Sequence, residues 1–183
     1  MTLCESDKKP LTHSLTAPDF WMDQKTQWTI PKTEVDNLSL RDGLLRASQH
    51  SESEQDTLRD LCGKSLLFWV NMFVWTYNVK VVNEEGFEVP AQFQHVPFIT
   101  WPVQDEAFEK LQHAVEHGGD ALIDKSRDMG ASWICITLAT WYWLFRADSQ
   151  MLLVSRVEDL VDRRGDPDTL FWKIDYIIEH LPE

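Results

Sequence analysis

The stretch that most constrains the fold is residues 119–133, GDALIDKSRDMGASW. A short apolar run, ALID (121–124), is followed by a polar turn that ends in Gly130. An apolar segment of helical length begins directly afterwards at Ala131. The order of a buried strand, a glycine-containing loop and a helix is typical of a βαβ unit. The sequence therefore predicts an α/β fold.

The segments around this loop extend the same pattern. Residues 103–119 show helical apolar spacing and end in two glycines, residues 150–155 (QMLLVS) predict a second strand, and residues 168–181 predict a final helix. A strand, a helix and a second strand in this order predict a parallel sheet with a right-handed crossover. Because a doubly wound sheet holds about five or more strands, residues 104–183 are expected to be the first part of a larger domain.

The first half of the chain has a different character. Residues 1–50 are polar, contain three prolines and show no sustained period, which predicts a weakly ordered N-terminal arm. Residues 51–80 predict one long helix that begins at Ser51 or Ser53 and is apolar on most faces of its second half. Prolines exclude a helix from residues 81–102, so a connector or short β-hairpin is expected there. Residues 51–103 thus form a predicted helical segment with its connector.

Composition excludes several kinds of protein. The formal charge of −13 argues against a non-specific grip on nucleic acid by this part of the chain. The three cysteines lack CxxC spacing, which indicates a reducing compartment rather than a disulfide scaffold or a zinc site. The two longest apolar runs are shorter than the roughly 20 residues that a membrane span requires.

The loop has most of the phosphate-binding pattern G-x-x-x-x-G-K-[ST]. Gly130 and Ser132 occupy the positions of the second glycine and the hydroxyl, Ala131 replaces the usual lysine, and Lys125 stands at the first position. A lysine at the front could curl back over a bound phosphate, because its long stem carries a point charge. The candidate cofactor-binding residues of the loop are Lys125, Ser126, Arg127, Asp128, Met129, Gly130, Ala131 and Ser132. An ordinary strand-to-helix turn remains the alternative.

Arg127 lies within this loop and has two interpretations. Its permanently charged, planar guanidinium could reach a terminal phosphate and stabilise the charge that develops there. It could equally form a salt bridge with Asp124 or Asp128.

Several segments, in the same order, resemble the N-terminal portion of the terminase large subunit, the ATP-driven DNA-packaging motor of tailed bacteriophages. The likeness runs from about residue 55 to the end. FITWPVQ (98–104) resembles the adenine-recognising Q motif of that family, and DKSRDMGASW (124–133) resembles its variant Walker A motif. The remaining matching segments are LFWVNMFVWTYN (67–78), LLVSRVEDLVD (152–162) and GDPDTLFWKIDYIIEHLP (165–182).

The resemblance implies the start of a P-loop NTPase of the ASCE/RecA-like type, with ATP and Mg²⁺ as cofactors. Gln104 would contact adenine, and Lys125 with the loop amides would hold the phosphates. Ser132 would hold Mg²⁺, and Arg127 would act as a cis arginine finger. The implied partners are viral double-stranded DNA, contacted mostly outside this chain, the small terminase subunit and the portal protein. A ring homo-oligomer in the host cytoplasm, without membrane association, is also implied.

The chain departs from the family in what it lacks. No Walker B run, coupling motif or nuclease carboxylate cluster is visible in the sequence. The segment LLVSRVED is not a Walker B run, because Arg156 interrupts the apolar residues before Glu158 and Asp159. The full-length parent is therefore expected to be the ATPase, and this portion alone to hydrolyse ATP weakly or not at all. Three alternatives remain open. They are a different P-loop ATPase or helicase-like protein, a non-catalytic prophage remnant that does not bind nucleotide, and a purely structural role for Gln104 in the first turn of a helix.

Overall fold

The computed structural model describes residues 19–78, 94–126 and 129–182. Over these residues the protein is mixed α/β, with six α-helices and two small antiparallel sheets. The helices are α1 Glu34–Ser48, α2 Glu52–Lys64, α3 Leu66–Phe73, α4 Pro102–His117, α5 Ala131–Phe145 and α6 Leu170–Glu179. The strands are β1 Phe20–Met22, β2 Thr29–Pro31, β3 Trp75–Tyr77 and β4 His95–Pro97, and a 3-10 turn spans Glu158–Leu160.

The region expected to be a weakly ordered arm contains a hairpin and a helix where it is described. Strands β1 and β2 pair with Trp21 opposite Ile30, and the side chain of Ile30 is fully buried. Helix α1 follows, capped by Thr33, whose side chain accepts a hydrogen bond from the Asp36 amide. The buried residues of α1 are polar, namely Asn37, Arg41 and Ser48. Its apolar signal is weak, because the leucines that pack against the core, Leu40 and Leu44, are only partly buried.

The single long helix predicted for residues 51–80 is wrong, since the chain breaks at Ser65 into α2 and α3. Ser65 has an extended backbone, and its Oγ accepts a hydrogen bond of 3.1 Å from the Phe68 amide. The same hydroxyl donates to the Asp23 carboxylate at 3.0 Å. A serine that caps the next helix and binds a distant carboxylate stabilises the break.

Helices α3 and α5 form the centre of the molecule. All eight residues of α3 are buried, and α5 packs against α3, α4 and α6. The indole of Trp141 on α5 donates a hydrogen bond of 2.9 Å to the Cys62 carbonyl of α2. Helices α4, α5 and α6 confirm the predicted helical segments, and Gly118 ends α4 in the left-handed conformation that the two glycines indicated. No helix of the described chain is long and apolar enough to cross a membrane.

The two segments predicted as parallel strands are not paired in a sheet. Residues 121–124 and 150–155 are neither helical nor hydrogen-bonded into a ladder, and the described residues contain no parallel sheet. Leu122 is 95% exposed, Leu152 is 88% exposed and Val154 is 75% exposed. Leu153, between the last two, packs against the core. A parallel strand needs hydrogen-bonding neighbours and cover on both faces, and the described residues provide neither for these segments.

Candidate functional site

The N-terminus of α5 lies at the end of the predicted phosphate loop. Gly130 is its N-cap residue, and the first intrahelical bond runs from the Ile134 amide to the Gly130 carbonyl at 3.0 Å. The amides of a first helical turn have no acceptor within the helix. No side chain caps this helix in the described part of the chain. The end of α5 therefore offers N–H donors and the positive end of a helix dipole, the groups that anions bind.

Two features favour glycine at position 130. Its backbone has φ of 76°, in the left-handed region that residues with a Cβ atom rarely adopt. A Cβ atom built there would also lie 3.1 Å from Nε2 of Gln104. The position that corresponds to the second glycine of the motif is thus one where the backbone conformation favours glycine.

Gln104 joins the two segments that the sequence assigned to one nucleotide site. It is the third residue of α4 and only 7% exposed. Its Oε1 accepts a hydrogen bond of 3.0 Å from the Trp101 amide, and its Nε2 donates one of 3.3 Å to the Met129 carbonyl. The N-terminus of α4 and the end of the loop are therefore in direct contact. Each end of the amide keeps the capacity for one further hydrogen bond, because the NH₂ group has two N–H donors and the oxygen has two lone pairs.

A cavity of about 520 Å³ opens beside this contact. Its volume is within the range of small-molecule sites. Its lining includes Gln104 and Gly130 from the two predicted segments, and the aromatic side chains Tyr77, Trp101 and Trp133. Trp101 is more than half exposed, and aromatic faces of this kind are surfaces on which a nucleobase can stack. The cavity thus adds a compartment with both aromatic and polar walls to the polar end of α5.

A second cavity, of about 610 Å³, lies between α1, α2 and α3. Its walls are mostly apolar and include none of the residues that the sequence assigned to the site. Although it is larger, it has no connection to the loop, so we regard the cavity beside Gln104 as the candidate site.

The remaining predicted residues differ in their environment. Lys125 and Ser126 are exposed, Ser132 is exposed in the first turn of α5, and Met129 and Ala131 are half-buried. The predicted arginine finger, Arg127, and its neighbour Asp128 lie outside the described residues. The loop thus presents Lys125 and the Ser132 hydroxyl to solvent, where a ligand could reach both.

Sequence reasoning missed a buried polar cluster behind the cavity. Lys32 donates from Nζ to Thr100 Oγ1 at 2.8 Å, to Asn71 Oδ1 at 3.0 Å and to Asp105 Oδ2 at 3.2 Å. These partners are 39 to 73 residues away in the chain. No local pattern could have revealed the cluster, because the partners of Lys32 belong to two distant segments, α3 and the start of α4.

The electrostatics of this cluster are dominated by burial. Burial lowers the pKa of Lys32, and the attraction of Asp105 opposes that shift. Burial raises the pKa of Asp105, against the attraction of Lys32 and the hydrogen bond from Thr100. Both shifts disfavour the charged forms, so desolvation outweighs the attraction within the pair.

The donor set suits a nucleotide phosphate better than a free metal ion. Within the described residues, no group of three or more His, Cys, Asp or Glu side chains could hold a metal. Mg²⁺ at nucleotide sites is usually bound by one or two protein oxygens, phosphate oxygens and water. The exposed hydroxyl of Ser132 fits that limited role, and the helix end with Lys125 fits the phosphates.

Comparison with known proteins identifies no family for this chain. No protein-family model, curated protein or solved structure matches the chain.

Proposed function

We propose that this chain binds ATP with Mg²⁺ as the nucleotide-binding part of a DNA-packaging ATPase of the terminase large-subunit type. The observation that carries the proposal is the hydrogen bond from Gln104 to Met129. It joins the segment that resembles a Q motif to the segment that resembles a Walker A loop, beside a cavity of suitable size. A single site for the base and the phosphates requires these two segments to meet.

The phosphates would lie at the N-terminus of α5. The first amides of the helix and its dipole favour bound negative charge there. Lys125 is exposed and carries the long, flexible cationic side chain that can fold over a phosphate. Ser132 would hold the Mg²⁺ that accompanies the nucleotide, and the ion neutralises charge on the phosphate oxygens. Arg127 is proposed as the cis arginine finger on the strength of the resemblance.

The base would occupy the cavity beside Gln104. Trp101 and Trp133 line it and provide aromatic faces for stacking. Gln104 lines the same cavity. Its second N–H donor and the second lone pair of its oxygen are the pair of groups that would read the edge of adenine.

The proposed fold is the opening of a parallel P-loop sheet. Residues 121–124 and 150–155 flank α5, as the two strands of a βαβ unit flank its helix. Leu152 and Val154 are exposed while Leu153 packs on the core. A strand that is apolar on both sides is typical of a parallel sheet covered on both faces. We propose that these segments become neighbouring strands in the complete ATPase domain.

The wider role follows from the same resemblance. ATP binding would serve the translocation of viral double-stranded DNA into a procapsid, in a cytoplasmic ring of subunits with the small terminase subunit and the portal protein as partners. The formal charge of −13 places the proposed DNA contact outside this part of the protein. The acid that orients the attacking water is also proposed to lie outside it.

Two observations favour a non-catalytic interaction module instead. Both polar atoms of the Gln104 amide are engaged within the protein, and the segment before the loop is not paired in a sheet. A loop held in this way could be an ordinary connection between helices. A different P-loop ATPase or a helicase-like protein remains compatible with the same site.

A titration with a fluorescent ATP analogue and Mg²⁺ separates these possibilities. The unmodified chain should bind saturably, and Lys125→Ala should weaken binding by about tenfold or more, since loss of one charge-assisted phosphate contact costs about 1.5–3 kcal/mol. Lys64→Ala is the matched control. Lys64 is an exposed lysine at the end of α2, and its neighbour Gly63 lies beside Phe145, at the far end of α5 from the loop. Equal, non-saturable signals from all three proteins would reject nucleotide binding.

A further inference from the structure

Lys32 is a buried cation whose acidic partner, Asp105, is also largely buried. It follows strand β2 directly, and its side chain is 4% exposed. Its ammonium group is within 3.0 Å of the Thr100 carbonyl and of Asn71 Oδ1, and within 3.2 Å of Asp105 Oδ2. The three N–H donors of the group are thus fully used inside the protein. Although Lys32 belongs to the wall of the candidate cavity, it has no donor left for a ligand.

The partners of Lys32 are the residues that build the start of α4. Thr100 precedes the N-cap residue Trp101, and Asp105 lies in the first turn of the helix. The Thr100 hydroxyl also donates to the Asp105 carboxylate, and the Thr100 amide donates to Asn71 Oδ1 at 3.0 Å. Lys32 and Asn71 therefore fix the first turn of α4 from two sides.

The first turn of α4 is in turn the part that holds the loop. Gln104 precedes Asp105 in the chain and donates to the Met129 carbonyl at 3.3 Å. Met129 precedes Gly130, the N-cap residue of α5. A continuous set of bonded neighbours thus connects Lys32, through Asp105 and Gln104, to the N-terminus of α5.

The ion pair is poorly suited to a purely stabilising role. Burial lowers the pKa of Lys32 and raises the pKa of Asp105 despite their mutual attraction. A buried pair whose desolvation exceeds its attraction adds little net stability. Its directional bonds nevertheless fix the position of the groups that make them.

We infer that Lys32 is a positioning residue of the nucleotide site, which acts by fixing the first turn of α4 so that Gln104 holds the loop at the N-terminus of α5. The expected effect on nucleotide affinity rests on the proposed function. The effect of Lys32 on the position of the loop does not, and it can be measured without a ligand.

The test replaces Lys32 by a neutral residue of similar length. Lys32→Met should weaken binding of the fluorescent ATP analogue by about tenfold, which is within the range that indirect coupling changes produce. It should also accelerate hydrogen exchange at the Ile134 amide, whose acceptor is the Gly130 carbonyl. Asp105→Asn, which keeps the shape and removes the charge, should change both quantities in the same direction. All measurements are made well below the unfolding temperature of each variant.

Arg41→Met is the matched control. Arg41 is also a buried cation near the N-terminus, and it donates to the Asn71 and Val74 carbonyls at the end of α3 without a bond to α4. Its replacement should lower the unfolding temperature while leaving nucleotide affinity and exchange at Ile134 unchanged.

The outcomes separate the two proposals. If the unmodified chain does not bind nucleotide, the proposed function fails, while exchange at Ile134 still decides whether Lys32 positions the loop. Unchanged exchange at Ile134 in Lys32→Met overturns the positioning role. Equal effects of Lys32→Met and Arg41→Met on exchange also overturn it, because they would show general destabilisation.

Discussion

The side chain of Gln104 donates a hydrogen bond of 3.3 Å to the main-chain carbonyl of Met129, 25 residues further along the chain. At its other end the same amide accepts a bond of 3.0 Å from the Trp101 amide. One side chain therefore ties the start of α4 to the residue before the N-cap of α5. Because this side chain is buried, neither bond is readily replaced by water.

Gln104→Glu replaces the amide that donates to the Met129 carbonyl by a carboxylate. A glutamate keeps an acceptor for the Trp101 amide and cannot donate to the Met129 carbonyl, so a carboxylate would face a carbonyl oxygen. We expect a loss of about 1–3 kcal/mol in the free energy of unfolding, the cost of an unsatisfied buried acceptor. Urea unfolding measures it.

Gln104→Leu, which removes both bonds, is the companion variant. It removes both hydrogen bonds without placing a charge against the Met129 carbonyl, and we expect a loss of about 1–3 kcal/mol in the free energy of unfolding. Unfolding curves that coincide for Gln104→Glu and the unmodified protein would mean that the bond to Met129 contributes nothing to stability.

Gly130→Ala tests the geometry of the loop end. The left-handed φ of 76° disfavours any residue with a Cβ atom, and the new methyl group would lie 3.1 Å from Gln104 Nε2. We expect a loss of about 1–2 kcal/mol from the backbone conformation alone. Weaker binding of the ATP analogue should accompany it, because the amides at the start of α5 would move.

Gly43→Ala is the control, because an added Cβ atom at Gly43 meets neither backbone strain nor a close neighbour. Gly43 lies inside α1, and a Cβ atom there would meet nothing within 4 Å. Alanine is favoured over glycine in a helix by about 0.5–1 kcal/mol, so this variant should be more stable than the unmodified protein. A stability loss at Gly130 no greater than the change at Gly43 would contradict the strain assigned to the loop.

The parts of the fold that the sequence predicts correctly are those with local signals. Helices α4 and α5 follow from apolar spacing and from glycines at their ends, and both are present. Helix α1 has a weaker signal, because the polar residues Asn37 and Arg41 are its most buried ones. Those residues are buried because they bond to main-chain carbonyls of other segments, among them those of Pro31 and Asn71. Such partners are fixed by tertiary structure and cannot be found in a local pattern.

Some residues of the candidate site can likewise be predicted from a local pattern, and others cannot. The motif pattern identified the conformationally special Gly130 and proposed that segments 98–104 and 124–133 serve one site, and the structure brings these segments into contact. The positions of Lys32 and Asn71 behind them depend on contacts across much of the chain. The apolar run 121–124 predicted a buried strand, and Leu122 is exposed. An apolar run indicates that a segment tends to be buried, but the segment that buries it cannot be read from the run itself.

Ser65→Ala tests the break between α2 and α3. The hydroxyl caps α3 by accepting from the Phe68 amide and also donates to Asp23. We expect a loss of about 1–2 kcal/mol, since removal of an N-cap side chain costs that much. The free energy of unfolding from urea titration is the measurement.

Ser51→Ala provides the comparison, because Ser51 caps α2 by accepting from the Glu54 amide at an exposed helix end. Its removal should cost less, because water can reach the amide that it leaves free. A smaller loss at Ser65 than at Ser51 would show that the bond to Asp23 adds nothing.

Tyr176→Phe tests the attachment of α6 to the β3–β4 sheet and its dependence on pH. The Tyr176 hydroxyl lies 2.8 Å from His95 Nδ1 and donates to the Thr76 carbonyl at 3.3 Å. Burial, with a smaller contribution from Tyr77, raises the pKa of Tyr176 to about 12. The fold therefore favours the neutral phenol. Its contribution to stability is complete below the ordinary pKa of 10.0 and is lost as the pH rises towards 12.

We expect Tyr176→Phe to lose about 1 kcal/mol near neutral pH, the typical net value of a hydrogen bond. Its free energy of unfolding should then fall less steeply than that of the unmodified protein as the pH rises from 10.0 towards 12. Urea unfolding at a series of alkaline pH values measures both effects. Tyr142→Phe is the control for the neutral-pH loss, because its hydroxyl bonds only to Glu116 at 3.4 Å within the described residues. If Tyr176→Phe declined as steeply as the unmodified protein, ionisation of Tyr176 could not be what weakens the fold at alkaline pH.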